Sequence, residues 1–155
     1  MNLEEVIPIL KQISIFGGMT EEGLSKIVAL ITVKDYAKEE VIFKEGEPSV
    51  AIYIVYSGKV KIVLHLEDNP YTLVEFTVGD CFGETAMIGI QNHATSAVAM
   101  EDSRIMLLTA QNFNDLYKGD PKLFSLLILN VARESCRRLC KNTKIIGDVI
   151  EALKR

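Results

Sequence analysis

The sequence predicts an α+β fold, in which an antiparallel β-roll or jelly roll of about eight strands is flanked by N-terminal helices and a long C-terminal helix. At both ends of the chain, apolar residues recur at spacings of three and four, which is typical of amphipathic helices. In the middle the apolar period changes to two and turn residues interrupt the chain often, which favours short antiparallel strands.

Two helices are predicted at the start of the chain, over residues 3–15 and 20–31, with Gly17 and Gly18 between them. Thr20 is a suitable N-cap for the second helix. The turn sequences KEGEPS, SGK, EDNP, VGD and MEDS then divide the β region. Strands are expected near residues 33–36, 40–43, 51–57, 59–66, 71–78, 96–99 and 103–109.

A long helix is predicted after the β region. Thr109 is an N-cap for a first, short helix, and Asp120 followed by Pro121 begins the next one. No Gly or Pro follows until Gly147. A helix over residues 121–153 would be about 50 Å long, whereas a compact chain of this length has a radius of gyration of about 15 Å. We therefore expect residues 1–120 to form the body and residues 121–155 a helix that leaves it, within a single domain.

One face of this helix has the spacing of a coiled-coil seam. Its residues are Leu129, Ala132, Cys136, Leu139, Thr143, Ile146, Ile150 and Leu153. An isolated helix would expose this stripe to water, so we predict a parallel homodimer through residues 129–153. The alternative is that the first turns of the stripe fold back on the β body. Cys136 and Cys140 could meet their copies across the dimer, but we expect them to be buried, inert thiols.

Composition and charge exclude several classes of protein. The chain has 155 residues and a formal net charge of -4, the wrong sign for a protein that binds a phosphate backbone overall. Three cysteines without paired spacing indicate neither a disulfide framework nor a zinc site. The N-terminus resembles no signal peptide, and no apolar run approaches the roughly 20 residues needed to span a bilayer. We expect a cytoplasmic protein.

The stretch GDCFGETAMIGIQNHATSAV, residues 79–98, carries the strongest functional pattern. Gly83 follows a predicted strand, and Glu84, Thr85 and Ala86 begin a short helix. Glycine followed by free backbone N–H groups favours a phosphate. Glu84 cannot bind phosphate, because like charges repel, but its carboxylate can accept hydrogen bonds from sugar hydroxyls. Together these residues predict a site for ribose and phosphate.

Five ordered segments resemble one known family. They are IFGGMTEEGLSKI, GEPSVAIYIVYSGKVKI, VGDCFGETAMI, AVAMEDSRIMLL and ARESCRRLCKNTKIIGDV. Over roughly residues 13–153 the chain resembles the cyclic nucleotide-binding domains of the catabolite activator protein, the protein kinase A regulatory subunit and cyclic-nucleotide-gated channels. The last segment is similar to the dimer helix of the bacterial activators. The resemblance implies a regulatory domain whose ligand is cyclic AMP or cyclic GMP.

The resemblance also identifies a departure from the family. In the family, an arginine downstream of FGE pairs with the cyclic phosphate. Counting back from Val98 places that arginine at Ala94, and His93 is the nearest candidate for a substitute. A lost charge-assisted bond and an unpaired phosphate lower affinity by about ten- to several-thousand-fold. We therefore expect weak binding of cyclic nucleotides, altered specificity or another small anionic ligand.

Other site residues are carried over from the resemblance. Thr95 and Ser96 occupy positions that in relatives touch the phosphate or the base, and Asn142 with Thr143 match positions that clamp the base. Each also has a plain interpretation as a strand, seam or solvated residue. The complete set of predicted ligand-binding residues is Phe82, Gly83, Glu84, Thr85, Ala86, His93, Ala94, Thr95, Ser96, Asn142 and Thr143.

The leading hypothesis is a stand-alone regulatory module that signals through its dimer helix to a partner protein. One alternative is a ligand-free structural or partner-binding dimer with a degenerate pocket. A second is a haem or gas sensor, since relatives of this fold carry haem and Cys81 and His93 flank the pocket. The sequence contains no evident catalytic constellation, so we expect no enzyme and no metal. The sequence ends at Arg155 without a helix-turn-helix, so we expect no DNA binding of that kind.

Overall fold

A computed structural model describes residues 3–154. The helices and strands follow one another in the predicted order, with helices at both ends of the chain and eight strands between them. The helices are α1 (Leu3–Leu10), a 3-10 helix (Ser14–Phe16), α2 (Glu21–Leu30), α3 (Glu84–Ile88), α4 (Ala110–Gly119) and α5 (Pro121–Leu153). The strands are β1 (Thr32–Tyr36), β2 (Val41–Phe43), β3 (Ala51–Ser57), β4 (Val60–Leu64), β5 (Tyr71–Phe76), β6 (Cys81–Phe82), β7 (Ser96–Ala99) and β8 (Ser103–Thr109).

The first predicted helix is wrong in its length. Instead of continuing over residues 3–15, α1 ends at Leu10 and the 3-10 helix follows after a turn. The chain tightens there, because the amide of Ile13 bonds the carbonyl of Leu10 three residues earlier. This turn buries Ile13, Ile15 and Phe16 together, which one straight helix would not do.

Two four-stranded antiparallel sheets form the β-roll. Their strand orders are β1-β8-β3-β6 and β2-β7-β4-β5. One hydrophobic cluster fills the space between the sheets and includes Phe43, Tyr53 and Phe82. A second cluster joins the first sheet to the helices. The predicted β-roll is therefore confirmed, and β6 adds a two-residue strand that periodicity did not identify.

Helix α5 has the predicted bounds and the predicted N-cap. The Asp120 side chain accepts a hydrogen bond from the amide of Leu123, and Pro121 occupies the first turn. The inward face of the first turns buries Leu123, Leu127, Asn130 and Val131.

The predicted seam lies on another face of α5. Leu129 is 47% exposed and Leu139 is 66% exposed, and every residue from 141 to 154 is exposed. The alternative that the stripe folds back on the β body is therefore wrong. Cys136 and Cys140 are also exposed in the single chain, so the expectation of buried thiols is wrong for this chain alone.

Gly147 lies within α5, in a part of the helix that no other element covers. Apart from the surrounding backbone of α5 itself, no atom lies within 4 Å of the position that a Cβ would occupy at Gly147. Although α5 is long enough to cross a bilayer, charged residues recur along it, and no helix within residues 3–154 meets the requirements of a membrane span.

Candidate functional site

The site begins where β6 passes into α3. Strand β6 pairs with β3, and this pairing places Phe82 opposite Tyr53. Gly83 follows with φ 78°, a left-handed conformation that favours glycine. A Cβ on Gly83 would lie 2.8 Å from the Tyr53 ring, so the close approach that requires glycine is to the protein's own core. This turn directs Glu84 inward.

Glu84 is the buried charge of the site, with only 2% of its surface exposed. Its Oε1 accepts a hydrogen bond of 2.8 Å from Nη1 of Arg138, which comes from α5. Burial raises the pKa of Glu84, and the charge of Arg138 opposes that effect. An ion pair thus joins the β-roll to the C-terminal helix.

Arg138 makes several contacts at once. Its Nη2 donates to the carbonyl oxygen of Cys81 at 2.6 Å, and its Nε donates to Oε1 of Glu134 at 3.1 Å. Its guanidinium carbon lies 5.1 Å from the centre of the Phe76 ring, within cation–π range. Arginine suits this position because its planar fork offers donors in several directions.

A groove of about 450 Å³ lies between β5 and α5. Leu73 and Phe76 line it from the strand, and Arg138, Asn142 and Ile145 line it from the helix. The groove thus combines apolar side chains with a few polar ones, as small-molecule sites commonly do. Arg138 is shared between this groove and Glu84.

The segment after α3 brings His93 into the β-roll. The His93 ring is 4% exposed and stacks on Phe43, with 3.6 Å between the ring centres. Its Nε2 is buried without a hydrogen-bond partner. Burial lowers the pKa of His93, so the ring is neutral at pH 7 and supplies no positive charge to an anion. Ala94 beside it is exposed.

An aromatic column connects His93 to Arg138 across the roll. Phe43 contacts Tyr53, with centroids 5.2 Å apart, and Tyr53 stacks on Phe82 at 5.3 Å. Phe82 in turn stacks on Phe76 at 5.7 Å. Phe82, predicted as a ligand-binding residue, is therefore a core residue of this column and 2% exposed.

The other predicted site residues are dispersed. Thr85 is exposed and Ala86 is buried on α3. Thr95 is half-buried, and the Ser96 hydroxyl already accepts a hydrogen bond from the amide of Glu45 at 3.0 Å. Asn142 lines the groove, as expected of a residue that faces a base.

Thr143 is directed elsewhere. Its hydroxyl donates to the carbonyl of Leu139 one turn earlier in the same helix, and the residue is exposed on the seam face. Within a single chain it is therefore not part of the groove.

Cys81 does not offer the thiolate that a haem iron would bind. Burial raises the pKa of the Cys81 thiol to about 12, so it remains protonated and is a poor metal ligand. His93 is held against Phe43 as described. Between residues 3 and 154, no group of three or more His, Cys, Asp or Glu side chains is arranged to hold a metal ion.

Arg138 is the residue of the candidate site that sequence reasoning missed. It stands among Arg133, Arg137, Lys141 and Lys144, and such a run usually marks a solvated helix flank. Arg138 and Glu84 are 54 positions apart in the chain. A usable signal was present, because a carboxylate predicted at an interior turn requires a cation, and α5 is rich in them.

Comparisons with known proteins bear on the family of the chain. A family model described as "Cyclic nucleotide-binding domain" matches residues 33–120. The chain is 30% identical over 114 residues to cGMP-dependent protein kinase 2 of Mus musculus, covering 72% of this chain and 15% of the kinase.

Two solved structures share the fold of this chain. The Thermus thermophilus catabolite activator protein superposes with a TM-score of 0.77 at 27% identity, covering 89% of this chain and 63% of the other. A cyclic nucleotide-binding domain from Methylobacillus flagellatus gives a TM-score of 0.82 at 19% identity, covering 93% and 82%. The chain thus spans less than two thirds of the kinase and of the activator.

Proposed function

The chain belongs to the cyclic nucleotide-binding domain family of regulatory domains, and on that premise we propose that it is a regulatory module that binds a ribose-bearing ligand between its β-roll and α5. The observation that carries the proposal is the buried Glu84–Arg138 pair beside the groove. Carboxylate and guanidinium together offer an acceptor and donors to the hydroxyls of a sugar. The apolar side of the groove faces the base.

The proposed ligand is cyclic AMP, cyclic GMP or a related small anion, bound weakly. In place of the arginine that pairs with the phosphate in the family, this chain has Ala94, which is exposed. The neighbouring His93 is buried and neutral. Residues 83–98 contain no lysine or arginine, so this segment offers the phosphate only neutral hydrogen-bond donors, and these contribute less than charge-assisted ones.

The proposed output is a change in α5. A ligand hydroxyl that hydrogen-bonds to Glu84 changes the hydrogen bond between Glu84 and Arg138. Because Arg138 belongs to α5, ligand binding acts on this helix directly. The exposed stripe from Leu129 to Leu153 supports pairing of α5 with a second copy. The module would then pass ligand occupancy to a partner protein through the helix pair.

Restoring the missing cation tests the ligand assignment. We expect Ala94→Arg to raise the affinity for cyclic AMP or cyclic GMP at least about tenfold, because it supplies a charge-assisted hydrogen bond. Isothermal titration calorimetry measures this change. Gln91→Arg is the matched control, because it adds the same charge to an exposed position in the same segment and is expected to change affinity little.

Two outcomes would contradict the proposal. Sub-micromolar binding by the unmodified chain would show that the arginine is dispensable here. No gain with Ala94→Arg, or an equal gain with Gln91→Arg, would show that the segment does not direct a side chain to the phosphate. The absence of any gain with Ala94→Arg would favour a partner-binding dimer with a degenerate pocket.

A further inference from the structure

A chain of polar contacts joins the N-terminal 3-10 helix to the carboxylate of Glu84. The Ser14 hydroxyl donates to Oε2 of Glu134 at 2.9 Å, and Oε1 of Glu134 accepts from Nε of Arg138 at 3.1 Å. Nη1 of Arg138 then donates to Glu84 at 2.8 Å. Three elements that are distant in sequence thus meet through two side chains of α5, Glu134 and Arg138.

The position of α5 at this point is fixed by a second contact. The side-chain amide of Asn130 is buried and donates to the carbonyls of Ile15 at 3.2 Å and Gly17 at 2.8 Å. Asn130 lies one helical turn before Glu134. These two hydrogen bonds hold the 3-10 helix against this part of α5, where the Ser14 hydroxyl lies within hydrogen-bonding distance of Glu134.

Both oxygens of the Glu134 carboxylate are engaged. Arg137 also donates to Oε2, at 3.1 Å from its Nε. The Glu134 side chain is 16% exposed and that of Arg138 27%, so this ion pair is screened less by water than a fully exposed one. Burial opposes ionisation, but the hydrogen bonds from Arg137 and Ser14 and the charge of Arg138 lower the pKa of Glu134 overall.

We propose that Glu134 is a positioning residue for the ribose site, which holds the guanidinium of Arg138 against Glu84 in an orientation set by Ser14. This inference rests on the proposed function and adds to it a route of regulation. A displacement of the 3-10 helix changes the orientation of Arg138, and occupancy of the ribose site changes the contact between Ser14 and Glu134.

Recognition of the sugar hydroxyl provides the first test. The probes are cyclic AMP and 2′-deoxy cyclic AMP, and their dissociation constants come from ligand-detected NMR titrations, which reach the millimolar range. We expect Glu134→Gln to reduce the preference for the 2′-hydroxyl at least about fivefold, and Ser14→Ala about twofold, as loss of one charged or one neutral hydrogen bond implies. Glu151→Gln, an exposed carboxylate later in the same helix, is expected to leave the preference unchanged.

A ligand-free measurement provides the second test. Ser14 and Glu84 are bridged by two side chains, so the shifts in melting temperature of Ser14→Ala and Glu84→Gln are expected not to add in the double variant. Additive shifts, or an unchanged preference in Ser14→Ala, would overturn the inference while leaving the proposed function intact. Non-additive shifts with no binding of either probe would overturn the proposed function and, with it, the role of Glu134.

Discussion

At the scale of single residues, His93 is unusually buried for a side chain beside the proposed anion site. Its ring fills a gap in the aromatic cluster and leaves Nε2 buried without a partner. A neutral ring tolerates this position far better than a charged one, because burial penalises charge. His93 is therefore better suited to packing than to pairing with a phosphate.

Acid conditions should reveal the buried imidazole. Its pKa is lowered from 6.5 in the folded state, so the unfolded chain binds more protons between the two values and the free energy of unfolding falls as pH drops below about 6.5. The slope is at most about 1.4 kcal/mol per pH unit. Urea unfolding between pH 7.5 and pH 5.5 measures it, and we expect a smaller slope in His93→Gln.

The control for this titration is the second histidine of the chain. His65 is exposed, so His65→Gln is expected to retain the slope of the unmodified protein. Comparing the variants cancels the contribution of carboxylates such as Glu84, whose raised pKa acts in the opposite direction. An identical slope in His93→Gln and the unmodified chain would rule out this account of the ring.

At the scale of elements, α5 has two faces with different roles. Leu127 is fully buried against the body, whereas Leu129, two positions later, is 47% exposed on the seam. The first face fixes the helix to the β-roll and to the 3-10 helix. The second remains available for another helix.

A pair of substitutions separates the two faces. We expect Leu127→Ala to reduce the free energy of unfolding by about 2–5 kcal/mol at every protein concentration, because it leaves a cavity in the core. Leu129→Ala is expected to have an effect that varies with protein concentration, as loss of an intermolecular contact requires. Chemical unfolding at two concentrations tests both. A concentration-independent loss in Leu129→Ala would place that face inside the single chain.

At the scale of the whole molecule, part of the basic cluster of α5 is neutralised by carboxylates of the same chain. Arg137 and Arg138 are both engaged by Glu134, and Arg138 also by Glu84. The formal net charge of the chain is -4, which disfavours binding to a nucleic-acid backbone overall. Assembly with a second copy is the better explanation of the exposed seam.

Assembly can be tested with one charge in the seam. We expect the unmodified chain to sediment with twice the mass of a single chain, and Leu139→Glu to sediment as a monomer, because it places two carboxylates opposite each other in an apolar layer. Lys144→Glu alters charge on an exposed flank of the same helix and is expected to preserve the dimer. Equal masses for Leu139→Glu and the unmodified chain would contradict the seam.

The sequence predicted this architecture well wherever local chemistry decides it. The caps at Thr109 and Asp120 determined where α4 and α5 begin, and the strands predicted near 33–36 and 51–57 correspond to β1 (Thr32–Tyr36) and β3 (Ala51–Ser57). Strand β6 was expected before Gly83 from the turn pattern alone, because two residues have no measurable period.

The site was predicted less completely, for a physical reason. Gly83 and Glu84 are recognisable because their neighbours in sequence are also their neighbours in space. The pairing of Glu84 with Arg138 depends on how α5 lies against the roll, which no local pattern encodes. Likewise, the inward rotation of His93 is decided by the cluster around Phe43.

Gly147 has a consequence for the free end of α5. Glycine within a helix costs about 1 kcal/mol relative to alanine, and here no packing compensates for it. In a solitary chain the turns beyond Gly147 are therefore the first to fray, and their amide protons exchange with deuterated solvent sooner than those near Leu127. Slow exchange in those last turns would be a direct sign that something else holds them in place.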